Sequence, residues 1–187
     1  MDHAERLAPG GLVFRGLVDP DRPLLPPALA TLAPGYPPAS GTWPRAVVDR
    51  GTPDSVGRAN EGWFTLSREG GLFGDDREFL VAVEVPGGEG DWWWARVGLA
   101  ASWDVMGAGS AAALGGGFGA PEFAMLSTAG DTVVCGTADA SSIGTVLVNG
   151  LRDLAGLRDL AEWKAGRPGT PPHERAAARR WLDSVGR

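Results

Sequence analysis

The stretch REFLVAVEVPGGEGDWWWARVGLA, from Arg77 to Ala100, contains two β-rich runs separated by a glycine-rich turn. The first run, Arg77–Val85, contains three valines and a phenylalanine, residue types that favour strands. The PGGEGD sequence that follows is typical of a turn, and the tryptophan-rich run Asp91–Ala100 comes directly after it. Two such runs joined by a glycine turn predict an antiparallel hairpin.

A second hairpin is predicted further along the chain. Between residues 122 and 137, Ala129-Gly130-Asp131 separates two apolar runs, as a tight turn would. We also interpret Gly11–Val18, Arg45–Asp49 and Gly62–Arg68 as strands, the last because its aromatic residues precede an EGG turn. We predict that the four strands of the two hairpins form one antiparallel sheet.

The last third of the chain changes to helical spacing. Leucines recur at three- and four-residue intervals from Leu147 to the natural stop at Gly166, although the β-branched GTVLV at its start also suits a strand. A second helix is predicted over 170–185, with Thr170 as N-cap and Pro171 at the first helical position. Strands followed by helices are typical of the α+β class.

We therefore predict an α+β fold with an antiparallel sheet of about five strands and two C-terminal helices packed on one face. Most of the fifteen prolines lie before residue 54, which excludes a continuous helix or a central strand over much of that region. We interpret residues 1–44 as a proline-rich N-terminal arm, packed through Leu24, Leu25, Leu29 and Leu32, and residues 45–187 as a single α+β domain.

Composition and charge argue against several classes of partner. The formal net charge of −6 gives no general attraction to nucleic acid or to an anionic membrane, and no apolar run is long enough to span a bilayer. The first residues lack the pattern of a secretory signal, and Cys135 is the single cysteine. We therefore expect a cytoplasmic protein with neither nucleic-acid nor membrane partners.

The glycine-rich run after Met106 resembles the start of a nucleotide site. Gly107, Gly109 and Ala112 match G-x-G-x-x-[GA], the pattern that lets a pyrophosphate approach backbone amides at a helix N-terminus. However, three consecutive glycines at 115–117 interrupt the helix that should follow. We favour a connector, and the alternative is a cofactor or phosphate loop over 107–119. Ser110, between alanines, is a weak match to a nucleophile elbow.

Three consecutive tryptophans, Trp92, Trp93 and Trp94, form the strongest candidate binding feature. Strand alternation places Trp92 and Trp94 on one face and Trp93 on the other, so one or two indoles are exposed unless both faces are covered. We favour coverage of both faces by the N-terminal arm and the two C-terminal helices, and exposed indoles are the alternative. The carboxylates Asp75, Asp76 and Glu78 lie close together but lack the spacing of a calcium loop, so we interpret them as a solvated turn.

Three functions remain open. The first is a non-catalytic binding or accessory protein that acts through protein–protein contacts, such as an immunity-type protein or a complex subunit, with no catalytic residue, cofactor or metal. The second is a small-molecule enzyme that uses the loop at 107–119. The third is a carbohydrate- or nucleobase-binding module built on the tryptophans. The sequence leaves the oligomeric state undetermined.

Overall fold

A computed structural model of the chain describes residues 2–38, 41–85, 91–116 and 119–186. Seven strands form one sheet, and every neighbouring pair is antiparallel. In chain order they are β1 (Leu12–Leu17), β2 (Arg45–Asp49), β3 (Glu78–Glu84), β4 (Trp92–Leu99), β5 (Ala124–Leu126), β6 (Thr132–Ala138) and β7 (Ser142–Asn149). Their spatial order is β1-β4-β3-β5-β6-β7-β2. The predicted α+β class and antiparallel sheet are confirmed, with seven strands instead of about five.

Both predicted hairpin pairings are present. Strands β3 and β4 pair along their whole length, with Val83 opposite Trp93, while residues 86–90 of their predicted turn lie outside the described residues. Between β5 and β6, Gly130 has φ +78° and donates its N–H to the Ser127 carbonyl at 2.9 Å. A positive φ is the conformation that glycine adopts without steric cost, so the turn is fixed by its sequence.

The predicted strand at Gly62–Arg68 is wrong. This segment belongs to helix α3 (Ser55–Glu69), the longest helix among the described residues. Its buried residues are Ala59, Trp63 and Ser67, which lie four positions apart and so occupy one helical face. The aromatic residues that suggested a strand instead pack beneath the sheet, where Trp63 contacts Trp103 edge-on at 5.2 Å between ring centroids.

The sheet is covered on both faces, so the chain has two cores. The first core lies under α1 (His3–Leu7) and α3, and the second lies under α2 (Pro27–Ala30), α4 (Ala155–Gly166) and α5 (Pro172–Val185). Strand β3 supplies both cores in alternation, with Phe79, Val81 and Val83 in the first and Leu80 and Ala82 in the second. This explains why its sequence is a continuous apolar run.

The C-terminal helices agree with the prediction except at their starts. Helix α4 begins at Ala155 because the preceding β-branched residues belong to β7, and it ends at Gly166 as predicted. Helix α5 begins at Pro172, one residue later than predicted, with Pro171 in the N-cap position. The two helices are joined by Lys164 and Glu174, whose Nζ and Oε2 atoms lie 3.0 Å apart. They pack on the second core.

Residues of the N-terminal arm are integrated into the sheet and the second core. Strand β1 pairs with β4 at one edge of the sheet, and helix α2 packs on the second core. Leu25 and Leu29 are fully buried, Leu24 is partly buried, and Leu32 is exposed. Burying two leucines contributes several kcal/mol, at about 1.5–3 kcal/mol for each side chain, which holds the proline-rich segment against β4 and α4.

Candidate binding groove

A groove opens where the arm, strand β4 and helix α5 meet, and we call it the tryptophan groove. Its volume is about 540 Å³, counting the open mouth. Most of its surface is apolar, because prolines and tryptophans line it. The arm contributes Val18, Asp19, Pro20, Arg22, Leu24, Pro26 and Pro27, strand β4 contributes Trp92, Trp93 and Trp94, and helix α5 contributes His173, Ala177 and Arg180.

The three tryptophans differ in burial, although they are consecutive. Trp94 is buried in the second core, and its indole Nε1–H donates to the backbone carbonyl of Leu25 at 2.7 Å. Trp93 is half-buried, whereas Trp92 is 45% exposed at the end of the strand. One member of the triplet therefore anchors the fold, while Trp92 presents much of its ring to solvent.

The arm forms one wall of the groove, with a hydrogen-bonded turn over residues 19–22 and an extended backbone at Pro26. Pro26 has φ −59° and ψ 142°, which lies in the polyproline II region. The Leu25 carbonyl before it is fixed by the Trp94 indole, and Pro27 begins helix α2. A proline at the start of a helix costs no backbone hydrogen bond, so the segment turns directly from extended to helical.

Helix α5 forms the other wall and is tied to both neighbours. The Arg180 guanidinium donates to the Pro20 carbonyl at 2.8 Å and lies 3.4 Å from the Asp21 carboxylate. At the mouth, His173 Nε2 lies 3.1 Å from Asp91 Oδ1, just before β4 begins. These contacts tie helix α5 to the arm and to the residue before β4, so the two walls are fixed to each other beside the tryptophans without a ligand.

The glycine-rich run has a different geometry from a dinucleotide loop. Residues Val105–Gly109 form one π-helical turn, and the carboxylate of Asp104 accepts hydrogen bonds from Gly107 N at 2.9 Å and Ala108 N at 2.8 Å. The amides that a phosphate would need are therefore already bound to the chain's own carboxylate. Ala112 is exposed just beyond this turn.

Asp104 is itself held by helix α3. The Asn60 side chain donates to Asp104 Oδ1 at 2.6 Å and accepts a hydrogen bond from Met106 N at 2.9 Å. Burial raises the pKa of Asp104, but the hydrogen bonds from Ala108, Asn60 and Gly107 outweigh it, and the net pKa lies below the ordinary 3.8. The Asp104 carboxylate is thus charged at neutral pH, and it offsets the partial positive charge of the free amides at the N-terminal end of the turn.

The glycines of this run allow close approach between backbones. A Cβ atom on Gly109 would lie 3.0 Å from the Cα of Gly10, and one on Gly107 would lie 2.6 Å from the Asp104 carboxylate. This packing accounts for small residues there without a ligand. A cofactor site at Gly107, Gly109 and Ala112 stays a prediction, and positions 117 and 118 of the loop lie outside the described residues.

The other candidates from the sequence have structural partners. Ser110 is buried, and its hydroxyl donates to the Val105 carbonyl at 3.0 Å, which disfavours a role as nucleophile. Glu78 forms ion pairs with Arg96 and, at 4.0 Å, with Arg15. Burial raises the pKa of the Cys135 thiol to about 12, so it stays protonated. Within the described ranges, no three His, Cys, Asp or Glu side chains cluster as metal ligands would.

The sequence identified the tryptophans, and the arm and helices as elements that could cover them, but not the individual residues of the walls. Pro26, Arg180 and His173 lie far from Trp92 in the chain, and no local pattern connects them.

None of the helices in the described part of the chain is long and apolar enough to cross a membrane. Comparison of the chain with known protein families, curated proteins and solved structures finds no match.

Proposed function

We propose that the chain is a non-catalytic, cytoplasmic binding protein that acts through contacts with another protein, and that the tryptophan groove is its binding surface. The observation that carries this proposal is the 45% exposure of Trp92 at the rim of a preformed apolar groove. Tryptophan is enriched among the residues that dominate protein–protein binding energy. The Trp92 indole lines the groove and remains partly exposed to solvent, as expected for a residue that anchors a partner.

The rigidity of the groove supports the same function. Its walls are fixed by the Trp94–Leu25 hydrogen bond on one side and the Arg180–Pro20 hydrogen bond on the other. A partner that binds such a surface loses less free energy to ordering than one that must first assemble it. The fixed walls of the groove are therefore suited to binding a protein partner.

The lining favours a protein over a sugar. A saccharide requires many free hydrogen-bonding groups, but the polar groups of Arg180 and His173 contact Pro20, Asp21 and Asp91 of the chain itself. Asp19 and Arg22 add two exposed charged side chains on the arm side, and the remaining lining is mainly proline and tryptophan, which suits a protein segment with an apolar centre and a polar rim. A carbohydrate or nucleobase stacked on Trp92 is the alternative, and the following experiment separates the two.

The test is site-specific photo-crosslinking in the organism that encodes the chain. A photoreactive phenylalanine analogue replaces Trp92, and a matched variant carries it at Trp163, which is 53% exposed on α4 and does not line the groove. We expect one protein to be captured from position 92 and not from position 163. Equal capture from both positions, capture from neither, or quenching of Trp92 fluorescence by a sugar or nucleobase would contradict the proposal.

A further inference from the structure

We infer that two copies of the chain form a symmetric dimer in which strand β2 of one copy pairs antiparallel with β2 of the other. Strand β2 lies at one edge of the sheet, where β7 is its single neighbour among the described strands. The tryptophan groove lies on β4, next to the opposite edge strand, so the dimer leaves both grooves open. The inference is independent of the proposed function.

The backbone of β2 presents a regular row of unpaired groups at this edge. The Pro44 carbonyl accepts a hydrogen bond from β7 at 3.0 Å, and Arg50 N donates to the carbonyl just before β7 at 2.8 Å. Because hydrogen bonding alternates along an antiparallel strand, the N–H and C=O groups of Arg45, Val47 and Asp49 point away from β7. These three residues can therefore form hydrogen-bonded pairs with a second strand.

The sequence of β2, RAVVD, complements itself when two copies run antiparallel. A two-fold axis at Val47 places Val47 opposite its own copy and Arg45 opposite Asp49 of the second copy. Opposite charges that face each other across strands are favourable, whereas like charges are unfavourable. An axis at Ala46 or Val48 would instead place a charged residue opposite Val47 and shorten the ladder. The charges therefore favour the register centred on Val47.

The side chains that would meet are accessible in the single chain. Val47 is 56% exposed, more than any other large apolar side chain of the described residues. Arg45 is exposed and forms no ion pair within the described ranges. The Asp49 carboxylate accepts from Gly51 N at 2.7 Å through one oxygen, which leaves the other for Arg45. The Asp49 carbonyl accepts from Thr52 N at 3.0 Å and keeps a second lone pair.

The opposite edge strand, β1, is less suited to pairing with a second copy. Its register with β4 shifts between Phe14 and Gly16, and Gly16 has φ +137°. Such an irregularity interrupts the ladder and protects an edge strand from pairing with another chain. Strand β2 pairs with β7 without a shift. Pairing through β2 uses the same surface on both copies, so it closes a dimer and does not continue into a fibre.

Helix α3 leaves room for the second sheet. It packs on both β2 and β7, so it lies over the space between these strands and inward of the edge. Paired strands are about 4.8 Å apart, which would place the two copies of α3 about 10 Å apart, close to the ordinary distance between packed helices.

The first experiment is sedimentation equilibrium of the full chain, with Val47→Lys and Val13→Lys as matched variants. Val13 is 42% exposed on β1, the other edge strand. We expect the original chain to dimerise at micromolar concentration. Val47→Lys should weaken the dimer about tenfold or more, because two lysines would face each other, and Val13→Lys by less than about twofold. Circular dichroism of each variant verifies that it is folded.

The second experiment tests the register by charge reversal. Arg45→Asp gives β2 an acidic residue at both ends, and Asp49→Arg gives it a basic residue at both ends, so each variant repels its own copy. In a mixture of the two variants, both end pairs of a heterodimer join opposite charges. We expect the mixture to dimerise about tenfold more tightly than either variant alone.

Three outcomes would overturn the inference. The original chain could remain monomeric at about 100 µM, a concentration that detects even a weak dimer. Val47→Lys could weaken the dimer no more than Val13→Lys does, or the mixed charge variants could dimerise no better than each alone. None of these results bears on the proposed function, which is tested by crosslinking from position 92.

Discussion

Replacing Trp94 with phenylalanine tests whether the indole N–H holds the arm in place. The substitution keeps an aromatic ring in the second core but removes the donor that binds the Leu25 carbonyl at 2.7 Å. Leu25 is fully buried, so its carbonyl has no ready access to water as a replacement. We therefore expect Trp94→Phe to destabilise the folded chain and to loosen the wall of the groove.

The magnitude follows from two terms. Leaving a buried acceptor without its donor costs about 1–3 kcal/mol. The smaller ring removes buried apolar surface from the second core, which costs about 1 kcal/mol more. The sum is a loss of roughly 2–4 kcal/mol in the free energy of unfolding, a large part of the stability of an ordinary domain.

The assay is urea unfolding followed by far-ultraviolet circular dichroism, with Trp163→Phe as the matched control. Trp163 is exposed on α4, and the Arg167 guanidinium lies 4.6 Å from its ring centroid, a contact that phenylalanine can retain. We expect the control to stay within about 0.5 kcal/mol of the original chain. A Trp94→Phe value inside that same range would refute the reasoning, since the hydrogen bond would then contribute nothing measurable.

Three further predictions concern the first core and the buried thiol. Asp104→Ala should lower stability by roughly 1–2 kcal/mol near neutral pH, as the loss of a capping side chain does. Because the folded pKa of Asp104 lies below 3.8, that deficit should shrink in unfolding curves as the pH falls through the folded value. Gly109→Ala should cost about 1–3 kcal/mol, since its Cβ would lie 3.0 Å from Gly10 Cα, while Gly35→Ala, with open space around it, should change little in the same unfolding assay. Cys135 should react with a thiol reagent at mildly alkaline pH only after unfolding, because burial raises its pKa to about 12, and rapid reaction of the folded chain would contradict that.

The sheet was predictable because its signals are local. The valine-rich runs of β3 and β6 and the turn at Gly130 each specify a strand or a reversal within a few residues. Antiparallel neighbours joined by short turns need no information from distant parts of the chain. The count of seven instead of about five does not change the class. Strand β2 was also predicted, but its pairing with β7 joins segments nearly a hundred residues apart, which no local signal specifies.

Helix α3 could not be recognised from its aromatic content. Trp63 and Phe64 are residue types that favour strands, and the four-residue spacing of its buried positions includes a serine, Ser67, that weakens the apolar pattern. Tertiary packing decides the outcome, because Trp63 is fully buried against the rings of Phe73, Phe79 and Trp103. The strand propensity of these aromatic residues is outweighed because the buried face of α3 packs its large aromatic surface in the first core.

Only the tryptophan strand of the groove could be predicted from the sequence. The run at Trp92 marks the strand that lies at its centre, but the walls come from an arm far before it and a helix far after it. The decisive bond joins Trp94 to Leu25, which are 69 positions apart. A single sequence carries no record of such a pairing, so the predicted binding residues lacked the prolines that give the site its shape.

The interpretation of the glycine-rich run depended on the assignment of helix α3. Its amides match a phosphate cradle only if they are free, and this depends on Asp104, three positions before Gly107. Asp104 is aimed at those amides by Asn60, which belongs to α3 and lies just before the segment interpreted as a strand. Once α3 is a helix, Asn60 reaches both Asp104 and Met106 N, and the chain supplies its own anion to the turn. This packing supports the connector interpretation, because the Asp104 carboxylate already accepts the hydrogen bonds of Gly107 N and Ala108 N, and a cofactor site there stays a prediction.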